Sequence, residues 1–272
     1  MNQVATAKPI NGVNAIEAAG IVVSFSRKLS QNEIDRLLGL ESVLKVELPV
    51  FSKLQGFGVT VENNQVTAQS SEFKGVVLQK LGDSVGKIDW ILQVTEDNLQ
   101  VTCGKYTRWA NVLPKSLEYI QAVFKFLELD TLSIASVGCQ FIDKFVYEVT
   151  PDTYMLSDVF NADSLFLPLR VKSSGNLWHV HQGWFETIKD FPENKALNQL
   201  NLTSSLLNEK LTAVIDHITQ IILEKPISVK ALMGNNGQDI TLMDSLLAST
   251  HNSNKEILKK LLSKHKITEI GL

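Results

Sequence analysis

The spacing of hydrophobic positions changes period several times along the chain. Residues 15–26, "AIEAAGIVVSFS", are rich in β-branched side chains and predict a strand. Ser30 stands three residues before Glu33, the spacing of a capping box, and opens a short helix through Leu38 that Gly39 is expected to end. Short strands are expected over 43–51, 54–61, 65–69 and 73–80, punctuated by "ENN" and by Gly56, Gly58 and Gly75. "KIDWILQVT" and "LQVTCGKY" then flank "EDN" as a hairpin. Leu99, Val101 and Cys103 alternate there with Gln100 and Thr102, which marks one buried face.

At "NVLPKSLEYIQAVFKFLEL" the period becomes helical, with Leu113, Leu117, Ile120, Phe124 and Leu127 on one stripe and Pro114 in the first turn. A second series follows. A long strand is expected from Leu132 to Val149, a short helical stretch near "DTYMLSDVF", and strands over 165–171, 177–188, 197–206 and 208–224. A long amphipathic helix from about Asp239 carries Leu242, Leu246, Leu247, Ile257, Leu258, Leu261 and Leu262. The order strand, short helix, meander, long helix thus occurs twice, over 1–129 and 130–272. This implies an α+β fold of antiparallel sheets, each packed on a long helix, as two tandem helix-grip-like halves. No residue-level identity links the halves, so the repetition is one of element order.

Composition narrows the function classes. The 272 residues are 44% hydrophobic and 20% charged, with a net charge of −3, so no overall basic field exists to hold a nucleic acid. Lys259, Lys260, Lys264 and Lys266 crowd the C-terminus and read as the solvated face of a helix. Two cysteines far apart in sequence fit a reduced, cytoplasmic setting. The N-terminal segment lacks the apolar stretch of a secretory signal, and no run approaches the ~20 apolar residues of a membrane span. No membrane association is expected.

Four segments carry a family resemblance: "NAIEAAGIVVSF", "KIDWILQVTEDNLQVTCGKYTRW", "VGCQFIDKFVYE", and a final helix bearing "STH" ahead of "KHKITEIGL". From about residue 9 to its end the chain resembles a sporadically distributed family of bacterial proteins of about this length. The most specific pieces are Tyr106–Trp109, a Y-x-R-W motif, and the G-x-Q-F-I-D-K-F strand that holds Phe141, Ile142, Asp143 and Lys144. His251 falls where the family tends to carry a histidine. The resemblance implies no settled activity. Its patchy distribution is shared by genes on mobile islands, which encode antitoxins, immunity proteins and phage-defence components.

Candidate chemistry is sparse. In "WHVHQGWF", His179 and His181 point to one face of a strand, ~7 Å apart, and offer two imidazoles to a metal without a third ligand at motif spacing. A half-exposed strand with polar residues on its wet side accounts for them more simply. Asp143 shares a strand face with Val137, Cys139, Phe141, Phe145 and Tyr147. A buried carboxylate needs a partner, and Arg108 and His251 are the expected ones, either in a structural salt bridge or in a ligand pocket. His251 and Asn254 interrupt the apolar stripe of the last helix and should bond to something buried. "GNNGQD", residues 234–239, lacks the lysine of a P-loop, and no other cofactor or metalloprotease motif occurs, so no cofactor is expected.

Two functions follow. The first is a non-catalytic, partner-binding protein of a bacterial defence or toxin-neutralising system, engaging a protein through exposed sheet edges and open to self-association. The second is a helix-grip pocket protein or enzyme whose cavity is lined by Asp143, Tyr147 and His251, with Arg108 and Trp109 near its mouth.

Overall fold

The computed structural model describes residues 6–62, 65–129, 132–148, 154–234 and 240–272, with the backbone alone over 57–62 and 65–72. The strands are β1 (Ala7–Pro9), β2 (Ile16–Phe25), β3 (Val50–Glu62), β4 (Gln65–Leu81), β5 (Ile88–Thr95), β6 (Asn98–Cys103), β7 (Ser133–Tyr147), β8 (Trp178–Ile188), β9 (Phe191–Leu207) and β10 (Lys210–Ser228). The helices are α1 (Gln31–Arg36), α2 (Leu40–Leu44), α3 (Trp109–Leu127), α4 (Val229–Met233), α5 (Leu242–Leu261) and α6 (Lys264–Glu269). The fold is α+β, with antiparallel strand pairing. No helix among the described residues is long and apolar enough to cross a membrane.

The chain divides into two compact units. One comprises Gly20–Ser136 and Lys225–Leu242. Its strands run in the order β3-β4-β5-β6-β2. Ser30 caps α1 as expected: its hydroxyl takes the Glu33 N–H while Glu33 reaches back to the Ser30 N–H. Arg27 forks onto the same carboxylate at 2.8 and 2.9 Å, and this bonding holds Glu33 down to about 2. Gly39 does not end the helix. Its φ of −73° is right-handed, and the chain continues through a 3-10 turn (Leu37–Gly39) into α2. Its small size answers a close approach, since a Cβ there would lie 2.6 Å from Cζ of Phe126.

The strand expected over 43–51 is therefore α2 and a turn, and β3 starts at Val50. Leu37, Leu40, Leu44 and Leu48 are buried at helical spacing, whereas Val43 and Val46, which suggested a strand, face solvent. The three short strands expected next are the remainder of β3 and the single long β4. Helix α3 lies against β6, and its buried face runs through Val112, Ser116, Tyr119, Ile120, Val123 and Phe124. Ile120, Phe124 and Leu127 of the expected stripe are buried, whereas in the first turns Val112 and Ser116 take the buried positions and Leu113 and Leu117 are half-buried at the border. Tyr119 meets Trp90 of β5 edge-on, with ring centroids 5.6 Å apart.

The other unit comprises Met1–Ala19, Val137–Glu224 and Met243–Leu272. Here the order is β7-β10-β9-β8, with β1 also paired to β7 and β8 at the end of the path. The strand expected over 165–171 is absent. Pro168 leads into a 3-10 turn, Leu169–Ser173, and Leu165 and Leu169 stand in solvent. Gly138 lets β10 approach β7, because a Cβ there would meet the Thr219 carbonyl at 2.7 Å. The core gathers Phe145, Tyr147, Phe160, Leu200, Leu202 and Ile215 with Leu258 and Leu261 of α5. Lys266, expected on a solvated face, is buried: its ammonium bonds the Ala7 carbonyl and Glu269 and lies 5.9 Å from the Phe145 ring centroid.

Candidate functional site

The unit containing β7 to β10 carries two sites, one polar and one aromatic, on the strand face that α5 packs against. Met243, Leu246 and Leu247 begin the buried stripe of α5, and Thr250 and Asn254 continue it before Ile257. The hydroxyl of Thr250 donates to Cys139 Sγ at 3.0 Å and to the Leu247 carbonyl at 2.9 Å. Asn254 meets His217 of β10, its Oδ1 2.9 Å from the imidazole Nδ1. The second nitrogen, Nε2, lies 3.2 Å from Asn198 Oδ1 on β9 and 3.2 Å from the Thr219 hydroxyl. Asn198 in turn donates from Nδ2 to Oε1 of Glu186 on β8 at 2.8 Å, and Ser253 of α5 donates to the same oxygen at 3.4 Å.

His217, Asn198, Thr219 and Asn254 are each no more than 2% exposed. Burial holds the His217 imidazole below its ordinary pKa, so it is neutral near pH 7. A neutral imidazole donates from one nitrogen only. Asn198 must give its N–H to Glu186, which only accepts, so its Oδ1 faces Nε2. The imidazole thus faces an amide oxygen at each nitrogen, Asn254 Oδ1 at Nδ1 and Asn198 Oδ1 at Nε2, and the Thr219 hydroxyl beside Nε2 donates to Asn198 Oδ1 at 2.9 Å. The network opens at Glu186 into a cavity of about 370 Å³, whose wall includes Thr219, Ile221, Thr250 and Ser253.

The aromatic site lies along edge strand β8. Phe166 stacks on Trp184 with centroids 5.3 Å apart and planes 28° apart. Residues 160–168 are held in place by short-range bonding. Phe160 bridges Leu262, the Asn161 N–H bonds the Leu261 carbonyl, and Gln182 Nε2 donates to the Phe166 carbonyl at 2.8 Å. Leu165 is nonetheless 99% exposed. It borders a cavity of about 580 Å³ with Phe166, Gln182, Gly183, Trp184 and Lys260.

Of the residues singled out in the sequence, Asp143, Tyr147 and His251 belong to this unit and Arg108 and Trp109 to the other. Asp143 is buried on β7 as patterned, but the expected ion pair is not formed: Oδ2 has no hydrogen-bond partner, and no cation reaches the carboxyl among the described residues. Burial pushes its pKa up to about 7. Arg108 is exposed at the N-cap of α3. His251 instead faces Phe141, ring centroids 5.6 Å apart, and burial lowers its pKa to about 4. Tyr147 points its hydroxyl to Asp158 at 3.4 Å, and burial raises its pKa. Neither cavity described above is lined by these five residues.

His179 and His181 lie on the exposed face of β8. Their Nδ1 atoms engage Thr203, at 2.9 Å, and Asn201. No third His, Cys, Asp or Glu joins them among the described residues. Of "GNNGQD", residues 235–239 lie outside the described residues, as does Asp239, the expected start of the last helix. Sequence spacing offers no partner for His217 and does not single out Glu186. The available signal was the polar Asn254 on an apolar stripe, which does bond to a buried partner. Compared with protein-family models the chain matches none, and no curated protein matches it.

Proposed function

We propose that the chain is a non-catalytic binding protein that takes an extended segment of a partner protein along β8. The observation that carries this reading is the aromatic cavity on the edge strand itself. Among the described residues β8 ends its strand order with only β9 paired to it, which leaves its outer edge for strand addition. Main-chain pairing supplies affinity in that mode, and a pocket opening on the strand supplies selectivity. The Phe166–Trp184 stack and the fully exposed Leu165 form such a pocket on a loop anchored in advance, which lowers the ordering cost of binding. Lys260 at its rim favours a segment with a large apolar side chain next to an acidic one. A toxin-neutralising or phage-defence setting rests on the sequence resemblance, and a cytoplasmic one on the two widely spaced cysteines.

Affinity capture from the host, comparing wild type with Trp184→Ala and Lys260→Glu, tests the reading. One protein retained by the wild type and lost from both variants is the expected result. Equal retention by all three, or no retained protein, contradicts it.

A second reading, a small-molecule pocket protein, is favoured by the cavity at Glu186. The helix-grip description of each unit supports it. In this reading α5 and α3 are the gripped helices, and α5 forms one wall of that cavity.

A further inference from the structure

The polar chain beneath the smaller cavity is more than the fold needs. Four polar side chains from β9, β10 and α5 sit at 0–2% exposure where apolar residues would pack without desolvation cost. Buried networks of this kind are stabilising only when every member is satisfied. Here the network ends on Glu186, whose Oε1 receives both Asn198 and Ser253. No cation pairs with Glu186, and no hydrogen bond reaches its Oε2 among the described residues. Glu186 is an exposed residue of the cavity wall, so the network fixes one oxygen of its carboxylate and leaves the other open to solvent and cavity alike.

The remaining lining indicates what fits. Ala196, Ile188 and Ile221 give an apolar strip, and Asp190 and Glu256 add negative charge. Among the described residues Lys189 is the only cation in the wall, and Glu256 is already engaged by Lys259 at 2.9 Å. A half-open cavity of about 370 Å³ suits a small ligand or a single side chain rather than a polypeptide fold. We propose that this cavity binds a primary ammonium group on a short aliphatic stem, the ammonium on Glu186 and the stem against Ala196 and Ile221. Three N–H donors match the open carboxylate oxygen and the Ser253 and Thr219 hydroxyls. The inference goes beyond the docking of a partner at β8 and stands if that reading fails. A free amine and a lysine side chain share this chemistry.

The test titrates the full chain with butylammonium, with 1-butanol as its uncharged analogue and with a capped Gly-Lys-Gly peptide. Binding is read by calorimetry and by the imidazole NMR signals. Butylammonium or the peptide should bind while butanol does not, and His217 should shift while His179 and His181 stay in place. The tighter of the two cationic probes identifies the source of the ammonium. Glu186→Gln should weaken binding about tenfold or more, and Ser253→Ala, a milder change on exposed ground, should weaken it less. Equal binding of butanol, no response of His217, or unchanged binding by Glu186→Gln overturns the proposal.

Discussion

His217 and Asn254 meet at 2.9 Å, joining β10 to α5 within a buried polar cluster that includes Asn198 and Thr219. The contact leaves no room for water to replace a lost partner, since both residues are 1–2% exposed. Asn254→Ala strands the imidazole nitrogen and should cost about 1–3 kcal/mol. Urea unfolding at pH 7 measures this, and a wild-type midpoint would show that the pair contributes nothing.

The buried His217 and the half-buried His251 give the protein an acid limb. Burial lowers the pKa of both His217 and His251, the latter from 6.5 to about 4. Between those values the unfolded chain binds more protons than the folded one, so stability rises with pH across the window and is lost as pH falls below 6.5. Replacing His251 with Phe keeps a ring against Phe141 and should flatten the slope between pH 6.5 and 4. An unchanged slope would remove His251 from the account.

Asp143 acts in the opposite sense. Its folded pKa is raised from 3.8 to about 7 by burial, so its contribution is fully present below pH 3.8 and is lost as pH rises toward 7. Above pH 7 the unfolded state is favoured by a charge that the folded site cannot solvate. Asp143→Asn should therefore stabilise the protein at pH 8, by on the order of 3 kcal/mol, and the gain should vanish near pH 4. A salt-bridged Asp143 would give the reverse, a loss at pH 8, which urea melts at the two pH values distinguish.

Much of the fold was legible because its signals are local. The Ser30–Glu33 box, the β5–β6 alternation and the α3 period each depend on residues a few positions apart, and each element formed. The two misread strands, over 43–51 and 165–171, share a cause: β-branched or leucine-rich segments whose apolar residues face solvent. Val43 and Val46 sit on the wet side of a helical segment, and Leu165 and Leu169 on a loop, so their presence misled where buried leucines decided. The candidate site was less legible. Burial of Asp143 follows from β7 alternation, but its lack of a partner depends on which distant residues pack above it. The relay from Asn254 to Glu186 joins α5 to the three consecutive strands β8, β9 and β10, and which of their side chains meet depends on the pairing register, which no spacing rule encodes.

Both thiols should be inert in the folded protein. Burial raises Cys103 to about 11 and Cys139 to about 12, and thiolate is the reactive form. Ellman's reagent at pH 8 should label neither until denaturant is added. Prompt labelling of the native protein would contradict the burial of both.

Amide hydrogen exchange on the captured complex tests docking at β8 most directly. Exchange along Gln182, Gly183, Trp184 and Phe185 should slow when the partner is bound, with Leu165 and Phe166 slowing alongside, and Trp184→Ala should abolish both effects. Protection confined to another strand, with exchange along β8 unchanged, would contradict strand addition at this edge.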